Sequence, residues 1–296
     1  LAFGTVVFSR KVNAFKSPLL VFGLLQLGIG ISALLLIPLF EYIPFVNRWV
    51  YQNWSMDFAT IQWSVFLVVV CFLFVPTFFM GAQFPIVIKL VVRKLDTLGH
   101  SIGKVYAFNT SGTIIGSFLA GFILIPFIGV QNTILVAVGL NLFIGFILLM
   151  LSTRVSINYK MYVLPAILIF CFMWGKSLDS WDKSIISSGS YMPYRIGDLS
   201  EAEAKANKVL FYEEGIHTTV TTELAASGNI FLRVNGKTDA SLGIDMRTQL
   251  LSGYLPMLAH KDPKSVLVIG QGSGITLGAV EQFPINSVNL VEISSA

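Results

Sequence analysis

The hydrophobic positions form two different patterns along the chain. Residues 1–175 hold long, nearly continuous apolar runs, five of which approach or exceed the length that crosses a bilayer. These runs are Pro18–Phe40, Ile61–Leu90, Ile102–Phe127, Asn132–Leu151 and Met161–Gly175. A spanning helix needs about 20 mostly apolar residues, because the hydrocarbon core is about 30 Å thick. We therefore predict a multi-pass α-helical membrane domain over residues 1–175, in which Leu1 continues an earlier span.

After residue 175 the pattern is that of a soluble protein. Residues 176–260 contain short runs typical of strands, at Val209–Tyr212, Thr218–Leu224 and Ile230–Val234. Asn235 and Gly236 follow the third run as a tight-turn pair. We predict that residues 176–260 form a linker and a small β-rich subdomain, which ends with a helix over Asp245–Leu258.

Residues 261–296 carry the pattern with the most specific chemistry. An apolar run over Val266–Ile269 leads into a turn with Gly270, Gly272 and Gly274. A predicted helix over Thr276–Gln282 and a second apolar run follow. This order predicts the first β-α-β unit of a Rossmann-like, methyltransferase-type α/β domain.

The glycine turn and Glu292 form a candidate nucleoside site. Glycines permit unusual backbone angles and let a ligand lie against the main chain, and an acidic residue about 20 positions later can accept hydrogen bonds from ribose hydroxyls. Because Ile275 and Thr276 follow Gly274, the turn lacks the spacing of the usual NAD motif. It therefore favours an S-adenosylmethionine-type cofactor, and a purely structural turn remains the alternative.

Composition and charge narrow the class of protein. Hydrophobic residues make up 54% of the chain and charged residues 12%, against about 25% charged residues in soluble proteins. The net charge of +4 is scattered, so we predict no nucleic-acid partner. Cys71 and Cys171 lie in separate apolar runs, where we predict buried thiols, with no disulfide and no metal site.

The loop charges give conflicting indications of topology. Basic residues fall in alternate loops, and the positive-inside rule makes these loops cytoplasmic. If Met161–Gly175 crosses the membrane, the soluble region then lies outside, where a nucleoside cofactor is not expected. We predict a cytosolic soluble region and a weaker fifth span. Gly112, Gly116 and Ala120 recur at helical spacing, which predicts close contact with another membrane helix.

Several motifs resemble the spermidine synthase (polyamine aminopropyltransferase) family, in particular its bacterial members fused to membrane spans. The motifs are Tyr212-Glu-Glu-Gly-Ile-His-Thr-Thr-Val, Val234-Asn-Gly-Lys-Thr-Asp-Ala-Ser, Leu255-Pro-Met-Leu-Ala-His, the glycine turn and Val291-Glu-Ile. In the membrane region they are Gly81-Ala-Gln-Phe-Pro and Gly103-Lys-Val-Tyr-Ala-Phe-Asn-Thr-Ser-Gly. The resemblance implies a protein of the bacterial inner membrane.

The resemblance also implies a reaction and a set of contacts. The expected chemistry is transfer of an aminopropyl group from decarboxylated S-adenosylmethionine to a diamine, with Gly270, Gly272 and Gly274 lining the pocket and Glu292 holding the ribose. Ser273 stands where the family carries an aspartate for the aminopropyl ammonium. The catalytic carboxylates are expected beyond residue 296, so we predict that residues 1–296 are a fragment without activity of its own.

Three further residues stand at family positions with a changed side chain, and are candidate contacts to substrate or cofactor: His217, Asp239 and Gln249. Asp239 replaces a glutamine, and Gln249 lies in a segment where the family has Tyr-His-Glu. The predicted partners are the lipid bilayer, a small polyamine and a second copy of the chain. The rival hypothesis is a transporter-like or sensing membrane protein with a degenerate or regulatory S-adenosyl-nucleoside domain.

Overall fold

The computed structural model describes residues 1–53, 57–92, 98–189 and 206–294. The chain divides into two compact units. One unit comprises Leu1–Ile43 and Gln62–Ser180, and the other comprises Pro44–Ile61 and Trp181–Ala296. Helices dominate the first unit, while the second carries the strands.

The described residues up to Ser177 are almost entirely helical. Their α-helices are α1 (Ala2–Lys11), α2 (Pro18–Leu36), α3 (Ile43–Asn53), α4 (Phe58–Val91), α5 (Leu98–Leu119), α6 (Ile125–Leu151) and α7 (Leu164–Ser177). Four continuous helical stretches are long and apolar enough to cross a membrane in the part of the chain that the structure describes. They are Pro18–Val50, Phe58–Val91, Leu98–Leu151 and Tyr159–Ser177. The chain is therefore a multi-pass membrane protein.

The stretch Leu98–Leu151 covers two of the five predicted spans. A helix of its 54 residues would be about 80 Å long, far more than the roughly 30 Å of the hydrocarbon core. Gly129 breaks it, with φ 80° and ψ 166°, between the predicted spans Ile102–Phe127 and Asn132–Leu151. The non-helical backbone at Gly129 thus separates the two apolar runs.

Helices α2 and α6 pack against each other in the first unit, and glycines lie at their contact. A Cβ on Gly23 would stand 2.9 Å from the Leu149 side chain, and one on Gly145 would stand 2.9 Å from Leu27. Small residues let membrane helices approach closely, because lipid provides little hydrophobic drive for their association. The α2–α6 interface therefore depends on glycine at these positions.

The small-residue stripe of α5 does not make the contact that its spacing predicts. Within the described residues, nothing lies within 4 Å of a Cβ built on Gly112 or Gly116, and α5 has no buried residue. Among the described residues, the prediction of a close helix contact through Gly112 and Gly116 is therefore wrong, because a spacing of small residues permits an approach but supplies no partner. Cys71 is likewise exposed, contrary to prediction, whereas Cys171 is buried.

The second unit contains a four-stranded antiparallel sheet in the order β1-β2-β3-β4. Its strands are β1 (Lys208–Glu214), β2 (Thr219–Leu224), β3 (Ile230–Val234) and β4 (Lys237–Ser241). The three predicted strands are confirmed, and β4 was not predicted, because Lys237-Thr-Asp-Ala-Ser is too polar to indicate a strand. Asn235 and Gly236 form the predicted turn, with φ of 49° and 79°.

A buried ion pair crosses this sheet from β2 to β3. Arg233 Nη1 donates to Glu223 Oε1 at 2.8 Å, and the two side chains are 6% and 0% exposed. Ser187 Oγ and Asn207 Nδ2 also donate to the Glu223 carboxylate, at 3.2 and 3.1 Å. Ser187 follows a short helix, α8 (Lys183–Ile186), so the segment after the last membrane helix closes one face of the sheet.

The chain ends in a strand-turn-helix-strand unit. Strands β5 (Ser265–Ile269) and β6 (Ser287–Val291) pair in parallel, and helix α10 (Ile275–Val280) lies between them in sequence. Helix α9 (Ile244–Ala259) packs on this unit, and Met257, Val268 and Val280 form its buried core. The predicted order of elements is confirmed at the local level, with α10 two residues shorter than predicted at its C-terminal end.

Candidate functional site

Three glycines shape the turn between β5 and α10. Gly270, Gly272 and Gly274 have φ of 87°, 53° and 77°, all in the left-handed region that other residues rarely adopt. In the part of the chain that the structure describes, nothing lies within 4 Å of a Cβ built on any of the three. The turn therefore needs glycine for its backbone angles, and the space in front of it is open.

The Glu292 carboxylate faces this turn from the end of β6. Its Oε2 accepts a hydrogen bond from the Gln271 backbone N–H at 2.6 Å. Its Oε1 accepts from the N–H groups of Ile293 and Ser294, at 2.8 and 2.9 Å. The side chain that the sequence singles out is thus held beside the glycine turn by main-chain donors.

The same hydrogen bonds set the charge of Glu292. Backbone donors from Ser294, Gln271 and Ile293 favour the ionised carboxylate, and they lower its pKa below the ordinary value of 4.5. Two carboxylate oxygens offer about four acceptor positions. The Gly272 N–H also lowers this pKa, so four main-chain donors act on an exposed anion at the mouth of the turn, and a ligand hydroxyl would share or replace them.

Ser273 and Gln249 form a neutral hydrogen-bonded chain with the backbone of β4. Ser273 Oγ donates to Gln249 Oε1 at 2.9 Å, and Gln249 Nε2 donates to the Asp239 carbonyl oxygen at 2.9 Å. Thr276 Oγ1 donates to the Gln249 carbonyl oxygen at 3.0 Å. The structure thereby brings together three of the candidate residues, although Asp239 takes part through its backbone.

The Asp239 carboxylate and the His217 side chain do not take part in these hydrogen bonds. The Asp239 carboxylate pairs with Lys237 Nζ at 2.6 Å in an exposed ion pair. His217 lies in the exposed bend between β1 and β2, not in a strand as predicted, and it makes no hydrogen bond within the described part of the chain. Its neighbour Thr218 reaches the Ser294 hydroxyl at 3.4 Å, two residues after Glu292.

Two features of the site were not predicted from the sequence. The Gln271 N–H that binds Glu292 is a backbone group, for which a sequence gives no signal. The Thr276 contact to α9 is tertiary, and only its position directly after the glycine turn could have suggested it. In residues 1–53, 57–92, 98–189 and 206–294, no three His, Cys, Asp or Glu side chains are grouped as a metal ion would require.

A cavity of about 480 Å³ lies beside β5 and α9, and Ile269 and Thr276, which flank the glycine turn, line part of it. Its lining is largely apolar and includes Pro256, Met257, Val266 and Val268, but neither the turn glycines nor Glu292. The cavity follows the side of β5 that has no neighbouring strand among the described residues. The glycine turn and Glu292, and not this cavity, therefore form the candidate site.

No family model matches the chain, and no curated protein matches it.

Proposed function

We propose that the terminal β-α-β unit binds an S-adenosyl-type nucleoside, as part of a membrane protein related to the spermidine synthases. The observation that carries this proposal is the Glu292 carboxylate, held against the Gln271 N–H at 2.6 Å beside an open glycine turn. An exposed carboxylate there can accept hydrogen bonds from two ribose hydroxyls. The Rossmann-like character of the unit is part of the same proposal.

The proposed reaction follows from the resemblance. The neutral nitrogen of a diamine attacks the aminopropyl carbon next to the sulfonium of decarboxylated S-adenosylmethionine. A C–N bond forms, the C–S bond breaks, methylthioadenosine leaves, and the new ammonium loses a proton to a base. Residues 270–292 would hold and orient the nucleoside for this step, and we assign no base to the described residues.

A second candidate function is favoured by Ser273. The family's aspartate would bind the aminopropyl ammonium through its charge, but Ser273 is neutral and already donates to Gln249. A site without that charge fits a domain that binds S-adenosylmethionine itself and has a sensing or regulatory role. Both candidate functions require the same nucleoside. They differ in the group recognised on the sulfonium, which is an aminopropyl group in the transferase and an intact amino acid, with its carboxylate, in the sensing domain.

The test of the proposed function is a calorimetric titration of the detergent-purified chain. We expect S-adenosylmethionine and its decarboxylated form to bind, and we expect NAD not to bind. Absence of binding by both S-adenosyl ligands would overturn the proposal. Stronger binding of S-adenosylmethionine than of its decarboxylated form would favour the sensing role over the transferase.

Replacement of Ser273 by aspartate tests whether this position determines the preference between S-adenosylmethionine and its decarboxylated form. We expect the variant to gain affinity for decarboxylated S-adenosylmethionine relative to S-adenosylmethionine, by about tenfold, because a new carboxylate attracts the ammonium and repels the carboxylate of the intact amino acid. Competition titrations with both ligands measure the ratio. Ser252→Asp is the matched control, because Ser252 lies in α9 and its hydroxyl donates to Thr248 in the same helix. An unchanged ratio would place the ligand tail elsewhere.

We also propose that the second unit faces the cytosol of a bacterial cell, where S-adenosyl nucleosides are made. Exposed Ser180 follows the last membrane helix and reports the side on which the chain emerges. In a variant with Cys71 and Cys171 changed to serine, Ser180→Cys should resist an impermeant maleimide in intact cells and react after lysis. Labelling in intact cells would refute the cytosolic assignment.

A further inference from the structure

The first unit contains a cavity that the proposed nucleoside site does not use. Its volume is about 730 Å³, and helices α2, α6 and α7 line it. Ligand pockets in proteins are commonly about 300–1,000 Å³, so the space is large enough for a substantial small molecule. Its opening lies on the apolar surface of the unit, where Phe143 and Phe172 are 58% and 64% exposed.

The lining changes from polar to apolar along the helices. At one end stand Gln131 and Asn132, near the start of the helical part of α6, together with Lys176 and Ser180 at the end of α7. Gln131 Nε2 donates to the Asp179 carbonyl oxygen at 2.9 Å, which fixes the start of α6 beside the end of α7. Beyond this end the lining is Leu, Val, Phe, Gly and Cys.

The length of the apolar part matches one leaflet. From Asn132 to Phe143 helix α6 rises about 16 Å at 1.5 Å per residue. Half of a hydrocarbon core of about 30 Å is about 15 Å. The cavity would therefore accommodate a lipid in its usual bilayer orientation, with the polar headgroup at the polar end and one acyl chain along the apolar part.

The polar end carries a positive charge. Within the described residues Lys176 makes no ion pair, and its Nζ lies 5.9 Å from the centroid of the Phe172 ring. Asp179 offers its backbone oxygen to Gln131 but does not line the cavity. A lysine at the end of a membrane helix extends its ammonium toward the headgroups, where it attracts anionic lipids.

We propose that this cavity binds an anionic phospholipid, with one acyl chain along α6 and α7 and the headgroup phosphate beside Lys176. Gln131 and Asn132 flank the headgroup. The apolar lining would accept any acyl chain, so the preference for negative charge comes from Lys176. This site is independent of the nucleoside proposal and does not require the glycine turn.

The experiment uses the chain in vesicles of equal parts phosphatidylglycerol and phosphatidylcholine. Each lipid in turn carries a photoactivatable acyl chain, and crosslinked peptides are mapped by mass spectrometry. We expect crosslinks from the labelled phosphatidylglycerol to fall on residues 131–143 and 164–176, about fivefold more often than those from phosphatidylcholine. Lys176→Gln should bring this ratio close to one, whereas Lys104→Gln on the exposed surface of α5 should leave it unchanged.

A second variant tests whether the acyl chain occupies the cavity, independently of the charge of Lys176. Among the described residues, nothing lies within 4 Å of a Cβ on Gly139, which lines the cavity, so Gly139→Leu places a side chain in the cavity and should remove most crosslinks there from both lipids. Gly116→Leu on α5 is the matched control. An unchanged ratio in Lys176→Gln would overturn the proposal. So would undiminished crosslinking in Gly139→Leu.

Discussion

Replacement of Arg233 by methionine is expected to destabilise the four-stranded sheet by about 3–5 kcal/mol. The change leaves the Glu223 carboxylate, which is 0% exposed, without the guanidinium at 2.8 Å. Ser187 and Asn207 still donate to it, but neutral donors do not compensate a buried charge as a cation does. Hydrogen exchange of the β2 and β3 amides in detergent-purified protein measures the loss.

Lys237→Met is the matched control for this change. Lys237 forms the exposed ion pair of the same sheet, with side-chain exposures of 58% and 37% for Lys237 and Asp239. Exposed pairs contribute about 0–1 kcal/mol, so we expect little effect. The double variant Glu223→Leu, Arg233→Met should be more stable than Arg233→Met, because it removes both charges. A loss below about 1 kcal/mol for Arg233→Met would contradict the importance of the pair.

Replacement of Glu292 by glutamine is expected to weaken binding of S-adenosyl ligands by about tenfold or more. The amide keeps the size of the side chain but loses the charge that accepts from backbone N–H groups and that, in our proposal, would accept from ribose hydroxyls. Glu281→Gln is the matched control, because Glu281 is exposed beyond the end of α10. Equal affinity in wild type and Glu292→Gln would contradict the assignment.

The pH dependence of binding follows from the lowered pKa of Glu292. A carboxylate whose folded-state pKa is depressed is ionised at every pH above its usual range, and its contribution is lost only as the pH falls through the lower value. We therefore expect a nearly constant affinity from about pH 8 to about pH 5. A fall in affinity already near neutral pH would point to another titrating group.

The membrane region could be predicted from the sequence because bilayer thickness imposes a length that apolar runs reveal directly. The runs Pro18–Phe40 and Ile61–Leu90 lie within helical stretches Pro18–Val50 and Phe58–Val91. Helix contacts could not be predicted in the same way. Gly23 and Gly145 make close contacts while Gly112 does not, although all three are small residues in apolar helices. The spacing of small residues shows which face of a helix can form a close contact, but it does not show which helix packs there.

The candidate site shows the same limit. The positions of Gly272 and Glu292 follow from an ordered run of strand, turn, helix and strand, each with its own local signal. The link from Ser273 through Gln249 to the backbone of Asp239 joins residues that are distant in sequence. The partners of Glu223 could not be predicted either, because a charged residue in a strand usually faces solvent.

The most direct test of the central claim is a binding cycle between Glu292 and the ribose hydroxyls. Wild type and Glu292→Gln are each titrated with S-adenosylmethionine and with an analogue that lacks both ribose hydroxyls. If Glu292 holds the ribose, removing the hydroxyls weakens binding to wild type by about tenfold and has little further effect on Glu292→Gln. Equal losses in both proteins would show that the carboxylate does not contact the sugar.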